Sequence, residues 1–587
     1  MMKKTKIVCT LGPASRDEDI IRQMLKNGMN VARFNFSHGT HREHRTAMET
    51  FRKVRDSLGL PVSVMLDTKG PEIRLKDFEN GSEQLKEGDM FVLTSESCEG
   101  TNEKASITFS RLPSQVSIGT EILIDDGRIK LEVVESTDTD IVCKVLKGGN
   151  VSNRKGINIP NKSISLEYIS EADKSDILFG IEMDVDYIAA SFVRSGNDVK
   201  KLRKFLNDNG GSGIKIISKI ENTEGINNFD DILELSDGIM IARGDMGVEV
   251  AFEKLPGMQK KFIKACCKAG KPVITATQML DSMMENPRPT RAEITDVANA
   301  IYDGTSAIML SGETAAGKYP VEAVQTMAAI AERTEADINY FGRMRNMTPD
   351  IRLGIGGATA HAACTTATDT NASAIITVTK SGATPRLISR FRPETPIVAC
   401  VMDEQVQRQL SVSWGITPLM MDLATSTDEL IEKSTTLAKE HGYLHDGELA
   451  VVTAGVPVGV SGTTNMIKIH MIGNCLATGV GVGPEGAALA NATGKACVCR
   501  TIEEIRAKFK PGMVLVVPST SNEMLSYVRD AAALVVEEAG LNSHAAIAGK
   551  ALLKPTIVGA VGATAHIRDG LMVAVDCAHG SVQRLQA

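Results

Sequence analysis

Eight short apolar runs, each followed by helical sequence, constrain this chain more than any other feature. They cover residues 7–9, 30–34, 62–66, 187–190, 215–219, 238–242, 273–276 and 306–310. Runs of this length and composition are typical of buried parallel strands, and eight βα units are the number that closes a (β/α)8 barrel. We therefore predict an α/β protein whose barrel is built from residues 1–69 and 166–340.

The βα alternation stops between the third and fourth runs. Residues 70–165 contain short runs with a period of two, separated by turn signals such as Asp126-Gly127. This pattern predicts a small all-β insertion. Because it follows the third strand of the barrel, the insertion would form a lid over the barrel mouth.

Further domains are expected after the barrel, because a chain of 587 residues exceeds the size of a single core. A charged, irregular stretch to about residue 349 is interpreted as a linker. Residues 350–475 form a second α/β domain, with strands predicted at 374–378, 396–401, 448–452 and 467–472. A Gly/Ala-rich stretch then marks a further boundary, so that residues 478–587 form an additional module.

Composition excludes several classes of protein. A net charge of −7 and 4% aromatic residues argue against a nucleic-acid partner. No long uncharged apolar run is present, and the N-terminal sequence continues directly into a strand pattern, so we expect neither a membrane span nor a signal peptide. A cytoplasmic location follows. The 11 cysteines form no CxxC pairs, which favours reduced thiols over a zinc site or disulfides.

Charge gathers where successive barrel strands end. The run at 215–219 ends in Lys219 and is followed by Glu221, and the next run is followed by Arg243, Gly244 and Asp245. In parallel α/β folds, ligands bind at the carboxyl ends of the strands. Two carboxylates beside a lysine suit a divalent cation and a phosphorylated substrate. Solvated strand ends or structural ion pairs remain the alternative for any one residue.

The other strand ends are also polar. They carry Arg33, Asn35, Ser37, His38, Asp67, Thr68, Arg74, Ser191, Arg194, Thr275, Thr277, Gln278, Ser311, Gly312 and Glu313. Acids for a cation, arginines for a phosphate and a lysine are what phosphoryl transfer requires, because that chemistry depends on positioning and electrostatics. His38 is interpreted as a local structural hydrogen bonder.

A loop in the second α/β domain has the composition of an anion site. It comprises Thr379, Lys380, Ser381, Gly382, Ala383 and Thr384, and it opens a helix that carries Arg386. Backbone N–H groups, hydroxyls and a cation favour anion binding. An ordinary strand-to-helix loop with a hydroxyl cap would look similar.

Six segments together resemble the pyruvate kinase family: NFSHGTH, MLDTKGPEIR, ISKIEN, IARGDMGVE, TATQMLDSM and ENPRPTRAEITDVANAIYDGTSAIMLSGETAAGKYP. The resemblance covers residues 6–475 in the same order. It implies transfer of the phosphoryl group of phosphoenolpyruvate to ADP, followed by protonation of the enolate to pyruvate. It also implies a β-barrel lid, a C-terminal regulatory domain and a homotetramer.

The resemblance assigns roles to the strand-end residues. Glu221 and Asp245 would bind Mg²⁺ or Mn²⁺, and Lys219 would neutralise the phosphoryl group in transit. Arg33 would hold the substrate phosphate, while Gly244, Asp245 and Thr277 would hold the carboxylate. Thr277 would also assist protonation through water, although its hydroxyl is a poor acid.

Nucleotide and potassium sites follow from the same resemblance. Arg74 and Lys155 would contact the phosphates of ADP or ATP. A K⁺ ion would be held by oxygen ligands from Asn35, Ser37, Asp67 and Thr68. Glu72 supports the K⁺ assignment, because potassium-independent members of the family carry a lysine at this position.

The loop at 379–384 resembles the family's binding loop for a phosphorylated effector, which would be a sugar phosphate or a nucleotide. The additional module resembles the phosphohistidine domain of phosphoenolpyruvate-utilising enzymes, with His544 at the phosphorylated position. Asn542 departs from the threonine usual there. A module that packs against, stabilises or tunes the enzyme is therefore favoured over phosphoryl transfer through His544.

Two alternative functions remain open from the residues. A Mg²⁺-dependent aldolase or lyase could use the same carboxylates to stabilise a pyruvate enolate, but it would leave the lid and Lys219 unexplained. A non-catalytic phosphoryl carrier would not need every metal, phosphate and lysine position to be filled.

Overall fold

The computed structural model describes residues 3–160, 162, 164–346, 354–456, 464–473, 475–483 and 491–585. The chain forms two compact units, one made of residues 1–357 and 379–420 and the other of residues 358–378 and 421–587. The end of the predicted linker, at residues 347–349, lies outside the described residues.

The first unit begins with two βα repeats and the third strand of the barrel. Their strands and helices are β1 (Lys6–Thr10), α1 (Glu18–Lys26), β2 (Val31–Asn35), α2 (His41–Ser57) and β3 (Ser63–Asp67). Helix α2 begins with a capping box, in which the Thr40 hydroxyl accepts from the Glu43 N–H and the Glu43 side chain caps Thr40 in return. Local sequence therefore fixes the start of this helix.

The predicted insertion folds as a separate β domain. Its strands are β4 (Ile73–Arg74), β5 (Ser82–Leu85), β6 (Met90–Thr94), β7 (Lys104–Ser106), β8 (Glu121–Ile124), β9 (Ile129–Ser136), β10 (Asp140–Lys147), β11 (Gly149–Ser152) and β12 (Gly156–Asn158). Seven of them form one sheet in the order β4-β12-β8-β9-β10-β6-β7, and β11 pairs with β5. Phe91, Leu93 and Leu131 lie in its own apolar core.

The barrel resumes after the insertion. Its remaining elements are α3 (Glu171–Glu182), β13 (Tyr187–Ala190), α4 (Gly196–Asp208), β14 (Lys215–Ile220), α5 (Thr223–Asn227), α6 (Phe229–Leu235), β15 (Gly238–Ala242), α7 (Arg243–Glu249), α8 (Leu255–Ala269), β16 (Val273–Ala276), α9 (Arg291–Asp303), β17 (Ala307–Leu310), α10 (Gly312–Ala315) and α11 (Pro320–Ala336). All eight strands pair in parallel and close in the order β1-β2-β3-β13-β14-β15-β16-β17. The predicted (β/α)8 barrel is confirmed.

Alternation along the strands separates two apolar cores. Val8, Val31 and Met65 lie in the cluster inside the barrel, whereas Ile7 and Phe34 lie in the larger cluster that the surrounding helices cover. Strands buried on both faces explain the nearly continuous apolar runs in the sequence.

One expected helix is divided in the structure. The pattern between the two central strands predicts one helix over about residues 225–235, but α5 and α6 meet at Asn228. The Asn228 side chain donates to the Arg194 carbonyl at 2.8 Å. This contact is made between residues distant in sequence, so the helical periodicity does not reveal it.

The chain then continues with α12 (Tyr340–Asn346), α13 (Ile355–Asp369), β18 (Ala374–Thr379), α14 (Ala383–Ser389), β19 (Ile397–Val401), α15 (Glu404–Gln409), β20 (Ile416–Met420), α16 (Thr427–Glu440), β21 (Leu449–Gly455) and β22 (Thr464–Met471). In the first unit, β19 and β20 pair in parallel. In the second unit, β21 pairs in parallel with β18 and antiparallel with β22. The sequence did not predict β20, because Pro418 interrupts its short apolar run.

The second unit also contains an eight-stranded mixed sheet. Its elements are β23 (Cys475–Thr478), β24 (Val480–Val482), β25 (Asn491–Val498), α17 (Ile502–Lys508), β26 (Val514–Val517), α18 (Leu525–Asp530), β27 (Ala533–Val536), α19 (His544–Ala551), β28 (Thr556–Val558), α20 (Ala563–His566), β29 (Met572–Asp576) and β30 (Ser581–Arg584). The strand order is β23-β30-β29-β25-β26-β27-β28-β24. Strands β25 to β28 are parallel and are connected by helices, as expected for a β/α module.

Candidate active site

Lys219 is the centre of a buried charge cluster at the carboxyl ends of the barrel strands. Its Nζ lies 3.0 Å from Asp67 Oδ1 and 3.0 Å from Glu221 Oε1. It also donates to the Ser191 hydroxyl at 2.7 Å. Lys219 is 8% exposed and Glu221 is 2% exposed. Because both side chains are buried, neither of them is a solvated strand end, which was one alternative interpretation of the single residues.

Arg33 joins the cluster through the same aspartate. Its Nε donates to Asp67 Oδ2 at 2.6 Å, and its Nη1 donates to the Thr10 hydroxyl at 2.9 Å. Asp67 thus binds Arg33 with one oxygen and Lys219 with the other. This arrangement holds two cations side by side, as binding of a phosphorylated substrate requires.

The charged groups shift one another's pKa values. Burial alone would lower the pKa of Lys219, but the carboxylates of Asp67 and Glu221 hold it above its ordinary value. Burial would likewise raise the pKa of Asp67, but Arg33 and Lys219 hold it below its ordinary value. Lys219 and Asp67 are therefore both charged at neutral pH.

Glu221 and Asp245 fit a divalent cation. Burial raises the pKa of both carboxyls, and Asp245 raises that of Glu221 further. In the described part of the chain, the two carboxyl groups have only one adjacent ammonium group, that of Lys219, so a further positive charge would stabilise their ionised forms. Within the described residues, no group of three or more His, Cys, Asp and Glu side chains is arranged for a metal. Two carboxylates suffice for Mg²⁺, which usually keeps several waters and takes substrate oxygens as further ligands.

Thr277 and Gly244 form a strained corner beside the carboxylates. The Gly244 N–H donates to the Thr277 hydroxyl oxygen at 2.8 Å. Thr277 has a φ of +68°, which is a true outlier for a β-branched residue. Arg243 holds the turn by donating to the Thr277 carbonyl at 2.8 Å, and it pairs with Asp296 at 2.7 Å. Strain of this kind concentrates at functional sites.

The four residues expected to bind K⁺ come from neighbouring strand ends. Asn35 and Asp67 are directly paired across β2 and β3. The Asn35 side chain accepts from the Ser37 N–H at 3.1 Å, and the Thr68 hydroxyl accepts from the Ser191 N–H at 3.1 Å. Amide, hydroxyl and carboxylate oxygens suit a hard cation, so the donor set fits K⁺.

Arg74 and Lys155 line a cleft between the lid and the barrel mouth. The cavity measures about 710 Å³ and also includes Asp245 and Asp126 in its wall. Arg74 pairs with Glu72 at 2.6 Å, and Lys155 pairs with Asp125 at 2.8 Å. The structure therefore brings both expected nucleotide-binding cations to the cavity that contains Asp245, one of the two carboxylates expected to bind the metal.

A second cavity of about 540 Å³ has Arg33 in its wall. Asn35, His38 and Gly12 also line it. The His38 backbone carbonyl accepts from the His44 ring at 2.8 Å, and the structural role expected for the His38 side chain stays a prediction. Arg33 thus borders this cavity, whereas Asp245 borders the cleft that contains Arg74 and Lys155.

Two family models match the part of the chain that carries this site. Residues 2–324 match the model described as pyruvate kinase, barrel domain, and residues 357–470 match the model described as pyruvate kinase, alpha/beta domain. The chain belongs to the pyruvate kinase family. Residues 509–580 match a third model, described as PEP-utilising enzyme, mobile domain, which confirms the predicted identity of the additional module.

Curated pyruvate kinases are similar over the whole chain. The enzyme from Geobacillus stearothermophilus is 47% identical over 586 residues, covering 100% of this chain and 99% of its relative. That from Bacillus licheniformis is 47% identical over 592 residues, covering 100% of both chains. A crystal structure of a pyruvate kinase from Cryptosporidium parvum superposes with a TM-score of 0.76 at 40% identity, covering 80% of this chain and 96% of that one. An enzyme of the pyruvate kinase class is thereby established.

The loop at 379–384 lies in the first unit of this pyruvate kinase family member. The Gly382 N–H donates to the Thr379 hydroxyl at 3.0 Å, and Gly382 has a φ of +75°. Arg386 reaches the Ser381 carbonyl at 3.4 Å. Lys380 and Ser381 are exposed, whereas Thr384 is buried.

His544 lies at the first position of α19 in the second unit. Its Nδ1 is 2.8 Å from the Thr520 hydroxyl, and its Nε2 is 3.0 Å from Asn522 Oδ1. Both ring nitrogens therefore have hydrogen-bond partners.

None of the helices that the structure describes combines the length and apolar character needed to cross a bilayer.

Sequence reasoning missed two contacts at the catalytic mouth. The Phe192 N–H donates to Glu221 Oε2 at 2.6 Å, and Phe192 has a φ of +51°. Ser191 was recognised only as a polar strand end, yet its hydroxyl contacts both Lys219 and Asp67. The position of Ser191 after a buried run was the available signal, whereas nothing in the sequence indicates a backbone donor.

Proposed function

We propose that this chain transfers the phosphoryl group of phosphoenolpyruvate to ADP, giving pyruvate and ATP, as in the last step of glycolysis. The observation that carries the proposal is the buried contact of Lys219 with Asp67 and Glu221, beside Arg33. Phosphoryl transfer depends on placing positive charge around a migrating phosphoryl group. A lysine fixed by two carboxylates supplies such charge without reorganisation.

The residues divide the work by position. Arg33 binds the substrate phosphate, because its guanidinium is held at the mouth by Asp67. Lys219 neutralises the phosphoryl group during transfer. Gly244, Asp245 and Thr277 hold the substrate carboxylate at the strained turn. Thr277 also orders a water molecule near the enolate carbon, and this water supplies the proton that the carbon accepts.

Glu221 and Asp245 would hold Mg²⁺ or Mn²⁺. When bound, this ion supplies positive charge to the substrate oxygens. The chain's own contribution is to keep both carboxylates buried and oriented, with Glu221 fixed by the Phe192 N–H. Asn35, Ser37, Asp67 and Thr68 would hold K⁺ as a second, monovalent cofactor.

The lid supplies the nucleotide contacts. Arg74 and Lys155 bind the phosphates of ADP, and their present partners Glu72 and Asp125 keep both side chains within the cleft. The nucleotide phosphates therefore approach the metal-site carboxylates from the lid side.

A phosphorylated effector, a sugar phosphate or a nucleotide, would bind the loop formed by residues 379–384. The supporting features are the N–H groups, hydroxyls and Lys380 of this loop. The enzyme would assemble as a homotetramer, as its family resemblance implies. A cytoplasmic location remains a prediction from the sequence.

The test is pyruvate formation from phosphoenolpyruvate with and without ADP, in the presence of Mg²⁺ and K⁺. We expect pyruvate only when ADP is present, in equal amount to ATP. Pyruvate formed without ADP would favour lyase-type chemistry. No turnover under any of these conditions would favour a phosphoryl carrier.

A further inference from the structure

A small cationic cavity lies at the opposite end of the barrel from the catalytic mouth. The ends of α8, β16 and β17 meet residues 386–414 of the same unit there. Arg386, Arg390, Arg392, Lys271 and Ser413 are among its lining residues. The free space is about 10 Å³, which is the room taken by one water-sized particle.

Three polar atoms of this lining have no hydrogen-bond partner in the described part of the chain. They are Arg390 Nε, Arg392 Nε and Ser413 Oγ. The three residues are 8%, 4% and 3% exposed, respectively. Buried polar groups are nearly always paired, so three orphans around one cavity indicate a missing ligand.

No carboxylate is among the described residues that line the cavity. The other nitrogens of Arg392 donate to neutral groups, including the Gly304 carbonyl at 2.9 Å and the Ser306 hydroxyl at 3.1 Å. Lys271 donates to the carbonyls of Leu233 and Glu234, each at 2.7 Å. Among the described residues, no carboxylate pairs with any arginine of this lining. Burial lowers the pKa of Arg390.

We propose that this cavity binds one chloride ion. A chloride can accept hydrogen bonds from both Nε–H groups and from the Ser413 hydroxyl, and it supplies the missing negative charge. A water molecule has only two lone pairs and would leave the buried guanidinium groups uncompensated. The ion would link residues 386–414 to the amino-terminal end of the barrel, and this role is independent of the proposed catalysis.

The first test is anomalous scattering from crystals of the full chain grown or soaked in sodium bromide. We expect a bromide peak within hydrogen-bonding reach of Arg390 Nε, Arg392 Nε and Ser413 Oγ. A cavity that contains only water under these conditions overturns the proposal. This test needs no variant and does not depend on enzyme activity.

The second test measures the apparent unfolding temperature of the full chain as sodium chloride replaces sodium gluconate at constant ionic strength. We expect saturable stabilisation by chloride. Arg390→Met and Ser413→Ala should each raise the half-saturating chloride concentration by about tenfold or more, since each variant lacks one hydrogen-bond donor to the ion. Arg529→Met, at a 67% exposed arginine, is the matched control.

Ser413→Ala removes only one oxygen atom and is therefore the less disruptive variant. It still tests the site if Arg390→Met does not fold. A bromide peak without variant-sensitive stabilisation would mean binding at crystal concentration only, and it would also overturn the proposal. Equal chloride responses in all folded variants would assign the stabilisation to another part of the protein.

Discussion

Asp67 holds Arg33 and Lys219 together. It binds Arg33 through one oxygen and Lys219 through the other, and it is only 1% exposed. With Glu221 and Asp245, the cluster has two positive and three negative side chains. A divalent cation would make the cluster positive, which favours a phosphorylated substrate. We therefore expect metal binding at this cluster to promote binding of the phosphorylated substrate.

Replacing Glu221 by glutamine should abolish activation by divalent metal. The amide keeps an oxygen for the Phe192 N–H, so the fold should be retained. We expect kcat to fall about 10²-fold or more and Mn²⁺ binding to be lost. Mn²⁺ titration by electron paramagnetic resonance and circular dichroism measure the two effects. Glu313→Gln is the control, because Glu313 is 2% exposed and accepts from backbone N–H groups at 2.7 and 3.0 Å.

Potassium should be required for turnover. The family resemblance implies that Glu72 occupies the position at which potassium-independent members carry a lysine, and here Glu72 pairs with Arg74 at 2.6 Å. We expect turnover to fall about tenfold or more when tetramethylammonium replaces K⁺ at equal ionic strength. Glu72→Lys should reduce this dependence. Full turnover of the unmodified enzyme in K⁺-free buffer would refute the assignment.

The positions of the charged residues were predictable, but several of their contacts were not. Alternation and parallel strand direction place Lys219, Glu221 and Asp245 at one end of the barrel. The same pattern does not reveal that Asp67 binds both Arg33 and Lys219, since these contacts join three strands. The positive φ of Thr277 is likewise set by the surrounding structure.

At the scale of elements, the end of β12 in the lid contacts the end of α7 in the barrel. The Asn158 amide lies 3.4 Å from Glu249 Oε1, and Glu249 Oε2 accepts from the Thr223 N–H at 2.9 Å. Burial raises the pKa of Glu249. One half-buried carboxylate thus connects the lid to the segment after β14, and we infer that it positions the lid.

The direction of this hydrogen bond can be reversed by exchanging the amide and the carboxylate between positions 158 and 249. Asn158→Asp should raise KM for ADP up to about tenfold, because two carboxylates then oppose each other. The loss should shrink as the pH falls and one carboxyl gains a proton. Adding Glu249→Gln should restore KM by reversing the donor and acceptor. Steady-state kinetics of the four combinations measure the coupling, and additive effects would rule out this positioning role.

The inserted domain was predictable as a unit, whereas its contact with the barrel was not. Short runs with a period of two indicate antiparallel strands wherever they occur. The sheet order β4-β12-β8-β9-β10-β6-β7 and the Asn158–Glu249 contact depend on pairings between distant residues. Asn228, which separates α5 from α6, is a further case in which a distant carbonyl overrides the local helical pattern.

At the scale of the whole molecule, the additional module should not carry phosphate. Both ring nitrogens of His544 are engaged by Thr520 and Asn522, and Asn542 departs from the sequence usual for phosphohistidine domains. Incubation of the full chain with phosphoenolpyruvate labelled in its phosphate should leave no acid-labile label on the protein. Acid-labile label that disappears in His544→Ala would instead establish transfer to this histidine.

We propose that the barrel mouth separates two chemical steps, phosphoryl transfer at Lys219 and protonation of the enolate. The direct measurement is Lys219→Met, assayed for ATP formation and for exchange of the methyl protons of pyruvate in D₂O. We predict that ATP formation falls about 10³-fold or more while proton exchange remains partly intact. Lys204→Met, at a 76% exposed lysine, is the control. Unchanged ATP formation in Lys219→Met would contradict the account.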